Sequence, residues 1–190
     1  PAVERLAPVG LADAWGPHIS IARLQGRDIP SPEPESELWM GAHEGGPSGT
    51  DRPGNPDLAA VIAADVVKEL GADCIDRFGP RLPFLLKVLA PGRAISIQAH
   101  PTAEQACSER ARTSDAVYVD DWAKPELLLA LAPFEVFVGM RSFDEVVDLA
   151  RRLDVDRFTT IVEQASAAAD PVHEALALVL ATPAEHVDEF

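Results

Sequence analysis

One feature limits the possible folds more than any other: the hydrophobic period changes near Arg141. Before Gly139, most apolar residues fall in short runs bounded by proline and glycine. From Ser142 onward they recur only at helical spacing. Runs of four to eight apolar residues between turn signals predict strands, and an i, i+3, i+4 repeat predicts helix. The chain therefore reads as mainly β over 1–141, followed by the start of a helical unit over 142–190.

The individual segments support this division. Prolines and glycines crowd residues 30–56 and predict loop, interrupted by one short strand at Glu37-Leu-Trp-Met-Gly41. Asn55 before Pro56 reads as a helix start, and Leu58, Ile62, Val66 and Leu70 extend a helix over 56–70. Residues 83–90 are apolar except for Lys87, which predicts a strand covered on both faces with Lys87 at or inside a cleft. Ile95, Ile97 and Ala99 alternate with Ser96, Gln98 and His100, the period of a strand with one polar face. Thr102 with Gln105 forms a capping box opening a helix to about Arg112, and 126–131 and 134–139 read as antiparallel strands. Ser142 with Glu145 caps the next helix, whose apolar positions are Phe143, Val146, Ala150 and Leu153. Helices over 156–168 and 171–181, the second capped by Asp170, come next, and Thr182 with Glu185 marks a further start.

Charge and composition narrow the function. Sixteen Lys and Arg against 31 Asp and Glu give a net charge of -15 with no basic patch, which argues against nucleic acid. The apolar stretches are far shorter than the roughly 20 residues of a bilayer span, and no secretory leader is visible, so the expected location is cytoplasmic and off the membrane. Cys74 and Cys107 are expected as reduced thiols without a function. An anionic small molecule stays compatible with the acidic balance, because a few convergent cations act locally within a cleft.

The chemistry centres on Gln98 and His100. Two apart on a strand, they would project from one face about 7 Å apart and could converge on one ion. Glu126, following Lys124-Pro125, is the best-placed carboxylate to join them. Spacing alone is better described by a solvent-facing strand that happens to carry Ser, Gln and His.

Four groups of segments, in order, resemble the type I, metal-dependent mannose-6-phosphate isomerases. They are Trp15-Gly16 with Ile21-Ala-Arg-Leu-Gln-Gly26; Glu37-Leu-Trp-Met-Gly-Ala-His43 with Pro47-Ser48; Leu82-Pro-Phe-Leu-Leu-Lys-Val-Leu89 with Ile95-Ser-Ile-Gln-Ala-His-Pro101; and Lys124-Pro-Glu126 with Ala130-Leu-Ala-Pro-Phe134 and Gly139-Met-Arg141. The likeness runs from about Arg5 to Leu153. It implies a cupin-type jelly-roll barrel with a helical insertion, incomplete in these residues, and interconversion of mannose 6-phosphate and fructose 6-phosphate by metal-assisted proton transfer through an enediol. It further implies one Zn2+ per chain on Gln98, His100 and Glu126, with a fourth protein ligand outside these residues. Lys87 and Lys124 are implied as the catalytic pair, Ser96, Glu37 and Trp15 as substrate-binding, and a phosphorylated hexose as the partner of a full-length monomer. Trp39 and Met40 are expected in the core.

One departure stands out. The family's frequent Asp-x-Asn-His-Lys-Pro-Glu is replaced here by Asp120-Asp-Trp-Ala-Lys-Pro-Glu126, so the polar residues that would orient Lys124 and Glu126 are changed. Altered rate or metal affinity is the expected effect of that change, and the competing expectation, which truncation supports, is a cupin-like metal- or sugar-binding module that has lost catalysis. Since the chain starts at Pro1 and stops soon after a helix-capping signal, these 190 residues are expected to be a fragment with little isomerase activity of its own.

Overall fold

The computed structural model describes residues 4–112 and 120–189. It forms two compact units, 1–99 and 100–190. The change of hydrophobic period at Arg141 coincides with the passage from irregular chain into a capped helix in the second unit.

In the first unit, β1 (Leu6–Ala7) pairs with β4 (Gly49–Thr50), and β3 (Glu37–Met40) is the centre of a three-stranded antiparallel sheet. Its neighbours are β2 (Val9–Leu11) on one side and β5 (Leu86–Leu89) on the other. The register sets Glu37 opposite Leu11 and Leu89, Leu38 opposite Val88, and Trp39 opposite Val9 and Lys87. Alternation therefore sends Leu38 and Val88 to one face and Glu37, Trp39 and Lys87 to the other. The first face receives α1 (Ser20–Leu24), whose Ile21 packs with Leu38, Ala90 and Val88. Complete burial of Ile21 contributes about 1.5–3 kcal/mol. Trp39 and Met40 were expected in the core; both are half-buried, and Leu38 between Glu37 and Trp39 is the buried residue of the strand.

Buried serines tie the loops around this sheet. Ser36 Oγ donates to Asp13 Oδ2 at 2.7 Å and accepts from the Asp13 amide at 3.2 Å. Ser48 Oγ accepts from Gly41 N at 3.0 Å and donates to Trp39 O at 3.3 Å, closing the loop after β3.

The single helix expected over 56–70 is two, α2 (Leu58–Ala64) and α3 (Val66–Leu70). Asp57, not Asn55, caps the first by accepting from Ala60 N at 2.7 Å. Asp65 leaves helical geometry and caps the second through Lys68 N, an instance of a short acidic side chain competing for the backbone. A further helix, α4 (Ala72–Phe78), follows Gly71. Arg52 joins α3 to the start of the chain, with two hydrogen bonds of 2.8 Å to Glu69 and one of 2.7 Å to Glu4.

In the second unit, the Thr102–Gln105 capping box opens α5 (Ala103–Arg112). Ser142 and Glu145 form the expected box at the start of α6 (Phe143–Leu153). α7 (Asp156–Ala165) and α8 (Pro171–Leu180) complete a small bundle around Ile161, Ala165 and Ala175, with Phe143, Leu178 and Val179 packed against them. Leu153, the last residue of α6, is exposed instead of joining that core, and Asp154 after it ends the helix in a left-handed conformation. Residues 184–189 form a 3-10 helix.

Three strand expectations fail: 95–99, 126–131 and 134–139 are irregular. A strand is completed by hydrogen bonds to a neighbour, and alternating side chains do not supply one. Among the described residues no strand pairs with these segments, and Ile97 (91%), Leu127 (99%) and Phe137 (83%) stand in solvent. No helix among them is long and apolar enough to cross a membrane.

Candidate active site

In the second unit, α5 fixes the turn that precedes Lys124-Pro125-Glu126. Cys107 on α5 donates its thiol to Asp121 O at 3.4 Å, and Asp120 Oδ1 accepts from Trp122 N at 2.8 Å, closing an Asx turn. Pro125 stiffens the next step. The result is a cluster: Glu126 Oε2 lies 3.9 Å from His100 Nδ1, and Glu126 Oε1 lies 3.9 Å from Lys124 Nζ. Both Lys124 and Glu126 are exposed, where such loose ion pairs contribute only about 0–1 kcal/mol. Stability therefore gives little reason for this grouping, and the chemistry of its atoms gives a better one.

That chemistry suits a divalent cation. Two donors bound to one zinc at about 2 Å in a tetrahedral shell sit about 3.3 Å apart, so the 3.9 Å separation of His100 and Glu126 needs only a small adjustment. Among the described residues no three His, Cys, Asp and Glu side chains gather as a metal-holding group. Gln98 and Ser96 lie in the exposed irregular segment at the end of the first unit.

The other nominated residues belong to the first unit. Lys87 Nζ on β5 is 3.7 Å from Glu37 Oε1 on β3, and both side chains are mostly buried. The second Glu37 oxygen, Oε2, accepts the indole N–H of Trp39. Trp15 lies in the loop after β2, its carbonyl accepting from Gly92 N at 2.9 Å. Gly16 beside it allows a close approach: a Cβ there would lie 2.4 Å from the Glu35 carbonyl carbon and 2.5 Å from Ser36 N. The indole contact of Trp39 was missed from sequence, although Glu37 and Trp39 two apart on one strand share a face. Also missed was the arginine clamp, whose partners are 48 and 17 residues away. Cys74 and Cys107 are both free thiols, as expected, and His173, on the surface of α8, is hydrogen-bonded to the Asp170 cap at 2.6 Å.

Residues 3–143 match the family model of the phosphomannose isomerase type I catalytic domain. The chain belongs to that family. The type I phosphomannose isomerases most similar to it include the mannose-6-phosphate isomerase of Escherichia coli, 37% identical over 150 residues. That alignment takes in 72% of this chain and 37% of the relative. Mannose-6-phosphate isomerase 2 of Arabidopsis thaliana is 36% identical over 169 residues, 83% of this chain and 37% of that protein. Among solved structures, the Salmonella typhimurium mannose 6-phosphate isomerase bound to its substrate and a zinc atom superposes with a TM-score of 0.81 at 28% identity. That superposition covers 98% of this chain and 50% of the other. The chain thus spans between about a third and a half of the length of these relatives, and within that span it has their fold.

Proposed function

We propose that this chain carries part of the active site of an aldose-ketose isomerase interconverting mannose 6-phosphate and fructose 6-phosphate. The observation that carries the reading is the grouping of His100, Glu126 and Lys124 inside the family's catalytic domain. In this reading the residues up to about Arg141 contribute strands of a cupin-type jelly-roll barrel and 142–190 begin its helical insertion. Gln98, His100 and Glu126 hold one Zn2+, with a fourth ligand from elsewhere in the complete protein. When bound, the ion supplies polarisation of the sugar carbonyl and orientation of its oxygens.

The chain's own residues do the rest. Lys124, exposed beside Glu126, reaches a sugar oxygen and shares proton transfer and oxyanion stabilisation with Lys87. An ammonium also recognises the phosphate as a point charge, and one of the two lysines takes that role. Ser96 and Trp15 contact the sugar, and Glu37 closes the pocket edge through its hold on Lys87. The full-length protein acts as a monomer on a phosphorylated hexose.

The test is a coupled assay with mannose 6-phosphate and added zinc. The 190 residues alone are expected to turn over near background. Combined with the remaining part of the Escherichia coli relative, they are expected to give turnover that Lys124→Ala removes. A soluble, zinc-loaded complex without turnover would instead identify a binding module with impaired catalysis.

A further inference from the structure

The polar face of the central sheet in the first unit holds a chain of contacts that ends on Lys87. Register places Trp39 directly across from Lys87, and Glu37 two residues along β3 on the same face. Glu37 uses both oxygens: Oε1 faces Lys87 Nζ at 3.7 Å, and Oε2 accepts the Trp39 indole N–H. The indole is itself fixed. His43 meets its ring edge-on, with centroids 4.9 Å apart and an interplanar angle of 76°. Gly46 allows the loop to lie against the ring, since a Cβ there would sit 3.4 Å from Trp39 Cε3 and 3.3 Å from Val9 Cγ1. The His43 ring is oriented in turn, its Nδ1 accepting from Gly45 N at 3.0 Å.

We propose that Trp39 is a positioning residue, whose indole N–H holds the Glu37 carboxylate in the orientation that steadies the Lys87 ammonium. A carboxylate on a single strand can rotate about its terminal torsion, which is broad, and a fixed donor on one oxygen leaves the other aimed across the sheet. The half-buried setting of Glu37 makes that aim matter, because its attraction for an ammonium is screened less there than at the open surface. The functional weight of this arrangement rests on the reading of Lys87 as a group that handles the phosphosugar. The geometry itself does not depend on that reading.

The chain has only three lysines, Lys68, Lys87 and Lys124, which allows each to be followed separately by mass spectrometry after brief acetic anhydride labelling. An ammonium held by a carboxylate is acylated more slowly than a released one. Trp39→Phe keeps the ring and removes the donor, and is expected to raise Lys87 labelling about three-fold with Lys68 and Lys124 unchanged, the scale of one lost hydrogen bond. Glu37→Gln is expected to raise it at least as much, and the double variant no further than Glu37→Gln alone, since Trp39 acts through Glu37. Unchanged Lys87 labelling in Trp39→Phe, or additive effects in the double variant, would overturn the proposal. A rise at all three lysines would report lost folding, and the decision then passes to the Trp39 indole N–H resonance in the otherwise unaltered chain. Glu37→Gln should move that resonance upfield; an unmoved resonance overturns the proposal. Neither readout needs turnover, so a failed isomerase assay and a failed positioning role are separate results.

Discussion

Lys124 and Glu126 are exposed and 3.9 Å apart, so removing the lysine takes away almost no packing. Lys124→Ala is therefore expected to leave the melting temperature within the scatter of ordinary surface substitutions while cutting the proposed isomerase turnover, read in the complemented assay, at least about 100-fold. Kinetics and a thermal melt on the same preparation check it; a lowered melting temperature with unaltered turnover would make the lysine structural. Gly16 behaves in the opposite way. An added Cβ would meet the Glu35 and Ser36 backbone at 2.4–2.7 Å, which no rotamer change relieves. Gly16→Ala is expected to cost more than about 2 kcal/mol in denaturant unfolding. The Trp15-Gly16 pair was legible in sequence as a family signature, but the reason for its glycine lies in a chain crossing about 20 residues away, at Glu35 and Ser36, that local pattern does not reveal.

At the scale of elements, caps with a partner three residues on were legible, because such a cap is settled within four residues, whereas the Asn55 signal yielded to Asp57. Thr102 with Gln105, Ser142 with Glu145, and Asp170 all sit where the sequence put them. The break at Asp65 was not legible, since Leu58, Ile62, Val66 and Leu70 keep helical period straight through it. The capping carboxylates also set a pH dependence. Hydrogen bonds from the Ser142 hydroxyl and amide hold Glu145 below its ordinary value of 4.5, and those from His173 hold Asp170 below 3.8. A carboxylate lowered on folding stabilises the helix above its unfolded value, and that contribution is lost as pH falls through the folded value. The three-helix bundle is accordingly expected to lose melting temperature once pH drops below about 4.5, with Asp170 adding to the loss below about 3.8. Ser142→Ala should lower stability by about 1 kcal/mol at neutral pH and flatten the acid dependence. Circular dichroism melts across pH check both, and a Ser142→Ala protein with unaltered acid sensitivity would contradict the account.

For the whole molecule, family membership was legible because motifs are local strings, whereas the irregular course of the segments that lead to His100 and follow Glu126 was not. The segments 95–99, 126–131 and 134–139 carry strand-like patterns and yet expose Ile97, Leu127 and Phe137, because pairing depends on a partner that no pattern within a segment contains. The ligand expectation splits in the same way. His100 and Glu126 come together, while Gln98 ends the first unit in irregular chain. The most direct measurement is calorimetric titration of the metal-free chain with Zn2+. The account predicts one ion per chain, with His100→Ala and Glu126→Ala each weakening the affinity more than about tenfold. No binding, or unaltered binding by the double variant His100→Ala/Glu126→Ala, would contradict it.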